Sequence, residues 1–212
     1  MSIKLSTLAL ALSLAYGATA AMANNADIMQ NGDRNNGYVT QSHNYDTDGT
    51  INQTGNRNYG AITQDFNTRT DATMNVRGND NDTYINQNGN TGSEALITIW
   101  RANNNEAIID QTLTRDSDAT ITVTGDNNFA AINQTYVVDS TAEINQAASR
   151  SDAYIQQGGI GLAPGYKLSA TINQNNGNYH DADIVQNGAD LVALVQQQGN
   201  NGWYGKIGRA HV

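Results

Sequence analysis

A five-residue pattern, small–x–aliphatic–x–glutamine, recurs along this chain every eleven or twelve residues. Its last position falls at Gln30, Gln41, Gln53, Gln64, Val76, Gln87, Ile99, Gln111, Val123, Gln134, Gln146, Gln157, Gln174, Gln186 and Gln197. Apart from one gap of seventeen, the spacings are eleven or twelve and mostly alternate, so the true period is about 23 residues built of two similar halves. Two residues before each anchor stand Ile28, Val39, Ile51, Ile62, Met74, Ile85, Ile97, Ile109, Ile121, Ile132, Ile144, Ile155, Ile172, Ile184 and Val195. Four before it the residue is small in all fifteen copies, and in eleven of them it is Ala.

Spacing of two puts the small residue, the aliphatic and the glutamine on one face of a strand, with polar or mixed residues on the other. Helical spacing does not fit. Five-residue strands separated by Gly/Asn/Asp turns do. A 23-residue strand-turn-strand-turn unit cannot bury a core alone, because two Ile and two Ala do not offset the entropy of ordering it. Stacked units can. The expectation is an all-β fold, a β-solenoid of about seven and a half 23-residue strand-turn-strand rungs with two parallel sheets packed face to face. At a rung spacing of roughly 4.8 Å its height is about 36 Å.

Inward-pointing glutamine suits this core only if it is stacked. An unpartnered buried amide costs a few kcal/mol, whereas in-register amides donate to one neighbour and accept from the other. Gln30, Gln41, Gln53, Gln64, Gln87, Gln111, Gln134, Gln146, Gln157, Gln174, Gln186 and Gln197 are therefore the expected structural ladder. Val76, Ile99 and Val123 occupy one column in three consecutive rungs, so the exchange of polar for apolar is made in a block with few broken junctions.

A second ladder is expected in the turns. Asn35, Asn58, Asn81 and Asn128 lie five residues after a first-half anchor, with Asn104 and Asn105 near the same place. Thr47, Thr70, Ser93, Ser117 and Ser140 lie six before the next first-half anchor, and short polar side chains there bond nearby backbone. Gly32, Gly55, Gly78, Gly89, Gly125, Gly188 and Gly199, two after the anchor, suggest positive φ at the strand exit. The long gap holds Gly158–Leu168, with the only proline, Pro164, and reads as a surface bulge rather than a binding loop.

Both ends of the chain look different from the repeat. Lys4, the apolar run Leu5–Ala15 and Ala21-Met22-Ala23 form a secretory signal peptide, residues 1–23, cut after Ala23 or at Ala20 or Ala21. It is too short to span a membrane. Codons for Ile207–Val212 can spell the start of a widely used sequencing adapter, and Lys206 fits the same frame. Residues 206–212 are therefore set aside as an adapter artefact, leaving 24–205 as the repeat solenoid. That span holds eight basic and twenty acidic side chains, a net charge of −12. The balance excludes a nucleic-acid partner, whose phosphates need Lys and Arg, and offers no patch for an anionic membrane. Charge of this sign keeps an aggregation-prone chain soluble. Cysteine is absent, so an exported fold of this size is stabilised without disulfides.

The series Asn24, Gln30, Gly32, Asn35, Gln41, followed by Thr47, Gln53, Gly55, Asn58, Gln64, resembles the curlin repeat, whose pattern is Ser-x5-Gln-x-Gly-x-x-Asn-x5-Gln. A weaker copy is Ser140, Gln146, Ala148, Ser151, Gln157. The resemblance covers essentially all of residues 24–202. It implies a secreted subunit, major or minor, that polymerises into extracellular cross-β fibres for adhesion and biofilm matrix. By the same resemblance its partners are further copies of itself, a companion curlin subunit, and an outer-membrane secretion pore with accessory proteins. The chain departs from the family in carrying more repeats, and in having Gln30 only seven residues into the processed chain, where family members carry a targeting leader.

No catalytic residue, cofactor or metal site is expected. His43 and His180 both fall in turns, and Asp80/Asp82 and Asp181/Asp183 read as solvated turn carboxylates, since the Gly-Gly-x-Gly-x-Asp calcium repeat is missing. The alternative to a fibre subunit is a capped, monomeric secreted β-solenoid that acts as an adhesin or surface-binding protein. An ice-binding surface needs a flat column of outward Thr, and the sites equivalent to Thr120 and Thr122 hold Tyr38, Glu143, Asp183 and Leu194.

Overall fold

A computed structural model of the chain describes residues 10–14, 24–159, 167–199 and 204–208. Among them every regular element is a strand. One sheet of nine contains β1 (Leu10–Leu14), β3 (Asn36–Ser42), β5 (Tyr59–Asp65), β7 (Asp82–Asn88), β9 (Glu106–Thr112), β11 (Phe129–Thr135), β13 (Asp152–Gly158), β15 (Asp181–Asn187) and β17 (Tyr204–Gly208). The other, of eight, contains β2 (Asn25–Asn31), β4 (Asp48–Thr54), β6 (Asp71–Arg77), β8 (Glu94–Trp100), β10 (Asp118–Val123), β12 (Thr141–Gln146), β14 (Leu168–Asn175) and β16 (Leu191–Gln198). Odd strands stack in one sheet and even strands in the other, all parallel, so the chain winds as a solenoid of about seven 23-residue turns. No described helix is long and apolar enough to cross a membrane.

Most strands have seven residues rather than five, because pairing continues one residue beyond the small–x–aliphatic–x–Gln core on each side. In β4, for example, Asp48 and Thr54 keep their partners Asp71 and Arg77. Stacking continues through the corners, where Tyr45, Thr68, Thr91, Arg115 and Val138 bridge in parallel from rung to rung. Register superimposes like on like: Ile62 pairs with Ile85, and Ile85 with Ile109. All the aliphatics two residues before the anchors are buried except Ile28, which is partly buried in the outermost strand β2. Each buried Ile contributes about 1.5–3 kcal/mol by leaving water, and stacking makes the contribution continuous along the solenoid.

The positive φ expected of the glycines after the anchors is found at all but one of them, and a second requirement adds to it. Gly32, Gly55, Gly78, Gly89, Gly188 and Gly199 do have positive φ, but Gly125 does not. What Gly55, Gly78 and Gly125 share is close approach. A Cβ on any of them would lie 1.8 Å from the carbonyl oxygen of the residue one rung on, Gly78, Ala102 and Ala148 respectively. Stacked turns bring backbone against backbone, and Gly is the only residue without an atom in the way.

The long gap is shorter than its sequence boundaries. Gly158 ends β13 and Leu168 opens β14; Leu168 is buried with Val137 and Leu191 in a small apolar cluster of its own. Residues 160–166, with Pro164, lie outside the described residues, as do 15–23, where signal cleavage is expected, and 209–212. Within the segments set aside from the repeat, β1 pairs with β3 in the register Leu12 to Val39. Similarly, β17 pairs with β15, aligning Ile207 with Ile184.

Candidate functional site

Because successive rungs repeat the same strand register, the chemistry of this molecule lies in the columns. In the nine-stranded sheet the glutamines form one uninterrupted chain of amide hydrogen bonds. Gln41 Nε2 donates to Gln64 Oε1 at 2.9 Å, and the same bond links Gln64 to Gln87, Gln87 to Gln111, Gln111 to Gln134 (2.8 Å), Gln134 to Gln157 and Gln157 to Gln186. Every donor belongs to the more N-terminal rung, so the column is polar. The second amide hydrogen is directed to the opposite sheet: Gln134 Nε2 also donates to Asp118 O at 3.2 Å.

The eight-stranded sheet carries the same column in two pieces. Gln30 donates to Gln53 at 2.7 Å, and Gln146 to Gln174 and Gln174 to Gln197 at 2.9 Å. Between them lie Val76, Ile99 and Val123, all buried. The two ends of this apolar block are not equivalent. Gln53 accepts from Gln30 and donates to Asn36 O, whereas Gln146 Oε1 is buried with no hydrogen-bond partner, since the residue beneath it is Val123. The polarity of the ladder explains the difference: at the lower junction Gln53 Nε2 loses its ladder acceptor but keeps the backbone carbonyl that its equivalents also use, and at the upper junction an acceptor loses its only donor.

The turns hold amide ladders as well. Asn58 donates through its backbone N and Nδ2 to Asn35 Oδ1 (3.0 and 3.1 Å), Asn81 does the same to Asn58, and Asn105 to Asn81. Asn128 N continues it to Asn105 Oδ1 and Ser151 N to Asn128 Oδ1. Asn105, not Asn104, is the ladder member; Asn104 takes a left-handed conformation with φ 55°. The series then passes to His180, whose backbone N donates to Ser151 Oγ at 3.1 Å.

Two further ladders were missed in the sequence. Asn44, Asn67 and Asn90 are linked by backbone N to side-chain Oδ1 bonds of 2.9 Å, with Thr114 next. Asn56, Asn79, Asn103 and Asp126 do the same at the opposite corner, down to 2.7 Å. Asn recurring at 44, 67, 90 and at 56, 79, 103 was the available signal. The Ser/Thr column behaves similarly: Ser117 N donates to Ser93 Oγ and Ser140 N to Ser117 Oγ. Thr70 Oγ1, by contrast, has no partner.

On the outer faces stacking also brings like charges together. Asp48, Asp71, Glu94 and Asp118 occupy one column of the eight-stranded sheet. Partial burial, and then the carboxylates of Asp48 and Asp46, raise Asp71 above the ordinary carboxylate range. Asp152 is raised by burial and then by Asp181 and Asp183. Asp80 is the opposite case, lowered by its hydrogen bond from Arg57, whose Nη2 lies 2.6 Å away. Among the described residues no three His, Cys, Asp or Glu side chains converge as metal ligands. Aromatic contacts are also inter-rung: Tyr59 lies 5.7 Å from Tyr38 and 5.4 Å from Tyr84, centroid to centroid.

The ends of the eight-stranded sheet complete the site. Among the described residues β2 pairs only with β4, and β16 only with β14. Both present the pattern of an interior rung, Ala26-Ile28-Gln30 and Ala193-Val195-Gln197. No protein-family model and no curated protein matches this chain.

Proposed function

We propose that the chain is the structural subunit of an extracellular, curlin-like amyloid fibre that grows by rung-on-rung stacking and serves adhesion and matrix formation. The observation that carries this reading is the likeness of the edges to the interior. In the processed chain, from which β1 has been removed with the signal peptide, a second copy placing its β2 against β16 and its β3 against β17 would continue the Ala, aliphatic and glutamine columns of the eight-stranded sheet in register, and its amide ladder would keep the same direction. Solenoids that remain single molecules protect their terminal strands with Pro, Lys, bulges or a covering element. Here β2 carries one charge, Asp27, and β16 carries none, while Val192 on β16 is 83% exposed. Secretion through an outer-membrane pore with accessory proteins, and pairing with a companion subunit, belong to the same reading through the curlin resemblance.

The test is to express the full chain in an exporting host, purify the processed product and follow β-sheet signal and dye binding with time. Seed-accelerated growth and fibre reflections near 4.7 and 10 Å are the expected result. A β-rich monomer that never elongates, with or without seeds, refutes the reading and points to a monomeric surface-binding solenoid.

A further inference from the structure

The connection between β8 and β9 is one residue longer than its neighbours. Ile99 to Gln111 is twelve residues, whereas Val76 to Gln87 and Val123 to Gln134 are eleven. The register identifies the added residue. Trp100 pairs with Arg77, and the next equivalent backbone positions are Gly78, which donates to Thr54 O, and Ala102, which donates to Arg77 O. Arg101, between them, has no counterpart in the rungs on either side. It sits in a left-handed conformation with φ 55°, an arrangement costing a non-glycine residue about 1–2 kcal/mol.

This insertion places two guanidiniums on one indole. Arg77 Cζ lies 4.8 Å and Arg101 Cζ 5.6 Å from the ring centroid of Trp100, which is half exposed. Beside them is a groove of about 350 Å³ lined by Asn52, Thr54, Asn75, Val76, Arg77, Ile99 and Trp100. Asn52 Nδ2 donates to Asn75 Oδ1 at 2.9 Å, which leaves Asn75 Nδ2 as a donor at the groove. Neither arginine enters an ion pair among the described residues; the pairs are Arg57–Asp80 and His43–Asp65. In a span with eight basic side chains against twenty acidic ones, two cations sharing one ring without a carboxylate partner is the arrangement of a site awaiting an anion. The acidic column of Asp71 and Glu94 begins the same strands six residues earlier, about 20 Å away at the rise of a strand. That is more than two screening lengths at physiological salt, and of the carboxylates in the corner itself Asp80 is held by Arg57 and Asp126 accepts from Asn103 N.

We propose that this groove binds a carboxylate-bearing sugar, a uronic acid unit of an acidic polysaccharide. The Arg77 guanidinium, which lines the groove, matches a planar carboxylate with paired hydrogen bonds, and Arg101 on the same indole adds a second positive charge beside it. The amide and hydroxyl groups of Asn75 and Thr54 suit ring hydroxyls, and the indole supplies an apolar wall. The volume falls at the small end of ligand sites, room for one or two sugar rings. A nucleic acid would need a longer track of cations than two. The site is complete in one chain, so it is independent of fibre growth.

The experiment follows Trp100 fluorescence in the full chain carrying Trp203→Phe, titrated with a galacturonate trimer and with a neutral glucose trimer. Saturable binding of the galacturonate alone, weakened by added salt, is expected. Arg77→Gln and Arg101→Gln should each weaken it about tenfold, the loss of one charge-assisted interaction. Deleting Arg101 restores the common turn length, so the fold is kept while binding drops by at least about tenfold. Equal binding of the neutral trimer, full competition by equimolar inorganic sulfate, unchanged affinity after the deletion, or no saturation by the galacturonate trimer would each overturn the proposal.

Discussion

Replacing Val123 with Gln and replacing Gln111 with Val exchange the same two side chains in opposite directions, and the ladder predicts unequal costs. Val123→Gln places an amide beneath Gln146, whose Oε1 is buried without a donor. The new Nε2 can fill that vacancy and, by the translation that takes Gln146 to Phe129 O, reach Glu106 O. Its own Oε1 then faces Ile99 and becomes the unpaired acceptor. The broken junction moves down one rung and its cost moves with it. Gln and Val are close in volume and the same column already holds Gln in β12 and β14, so the net change should be within about 1 kcal/mol. Gln111→Val cuts an unbroken column. Gln134 Oε1 loses its 2.8 Å donor and Gln87 Nε2 its 2.9 Å acceptor, and Ser117 O loses a bond of 3.0 Å. Counting about 1–3 kcal/mol for the orphaned acceptor and about 1 kcal/mol for each of the two weakened groups, the loss is roughly 3–5 kcal/mol. Repeat arrays need not unfold in one step. The assay is therefore native-state hydrogen exchange of amides in β9–β13 on freshly prepared unassembled protein, with urea unfolding alongside. Equal protection losses in the two variants would refute the reasoning and reduce the glutamines to volume fillers.

Met29, 64% exposed, lies opposite Asn52, whose Oδ1 is buried without a partner; Met29→Asn should extend the outer amide row and raise urea resistance by about 1 kcal/mol. Gly55→Ala should cost more than Gly188→Ala in the same denaturation series, by several-fold. Both have positive φ, but only at Gly55 does the new methyl meet a backbone carbonyl, at 1.8 Å, whereas at Gly188 the nearest atom is 3.8 Å away. Asp71 has a raised pKa, so the folded state holds its proton more tightly than the unfolded chain does. Stability from this group is then highest at acid pH and falls as pH rises from the ordinary carboxylate value through the raised one. Asp71→Asn should flatten that part of the pH–stability curve, measured by thermal melts across mildly acid to neutral pH, and an unchanged curve would show that burial and the neighbouring carboxylates do not raise Asp71.

The ladders explain why a chain so poor in apolar and charged residues folds at all. With 38% hydrophobic residues it has less to bury than an ordinary domain. Amides that would be a liability singly become acceptable when each is both donor and acceptor to its copy. The same logic limits tolerance. A column accepts an apolar residue most easily next to another apolar residue, which is why Val76, Ile99 and Val123 are contiguous.

Alternation within a strand is dictated by the pleat, so Ala26, Ile28 and Gln30 sharing a face, and the solenoid itself, were already determined by sequence periodicity. The inward glutamine column and its apolar block were legible for the same reason, as was the Asn35, Asn58, Asn81, Asn128 series. Contacts between rungs depend instead on register summed over two turns, and that only the tertiary structure decided. It directed every glutamine-to-glutamine bond of the ladders from the more N-terminal rung to the more C-terminal one and left Gln146 Oε1 unpaired. It brought the Gly55 and Gly78 backbones together, placed Asp71 between like charges, and set Arg77 against Trp100 across 23 residues with Arg101 added beside them. Local chemistry sets which way a side chain points; which copy it meets is fixed only when the turn closes and the next rung is laid down.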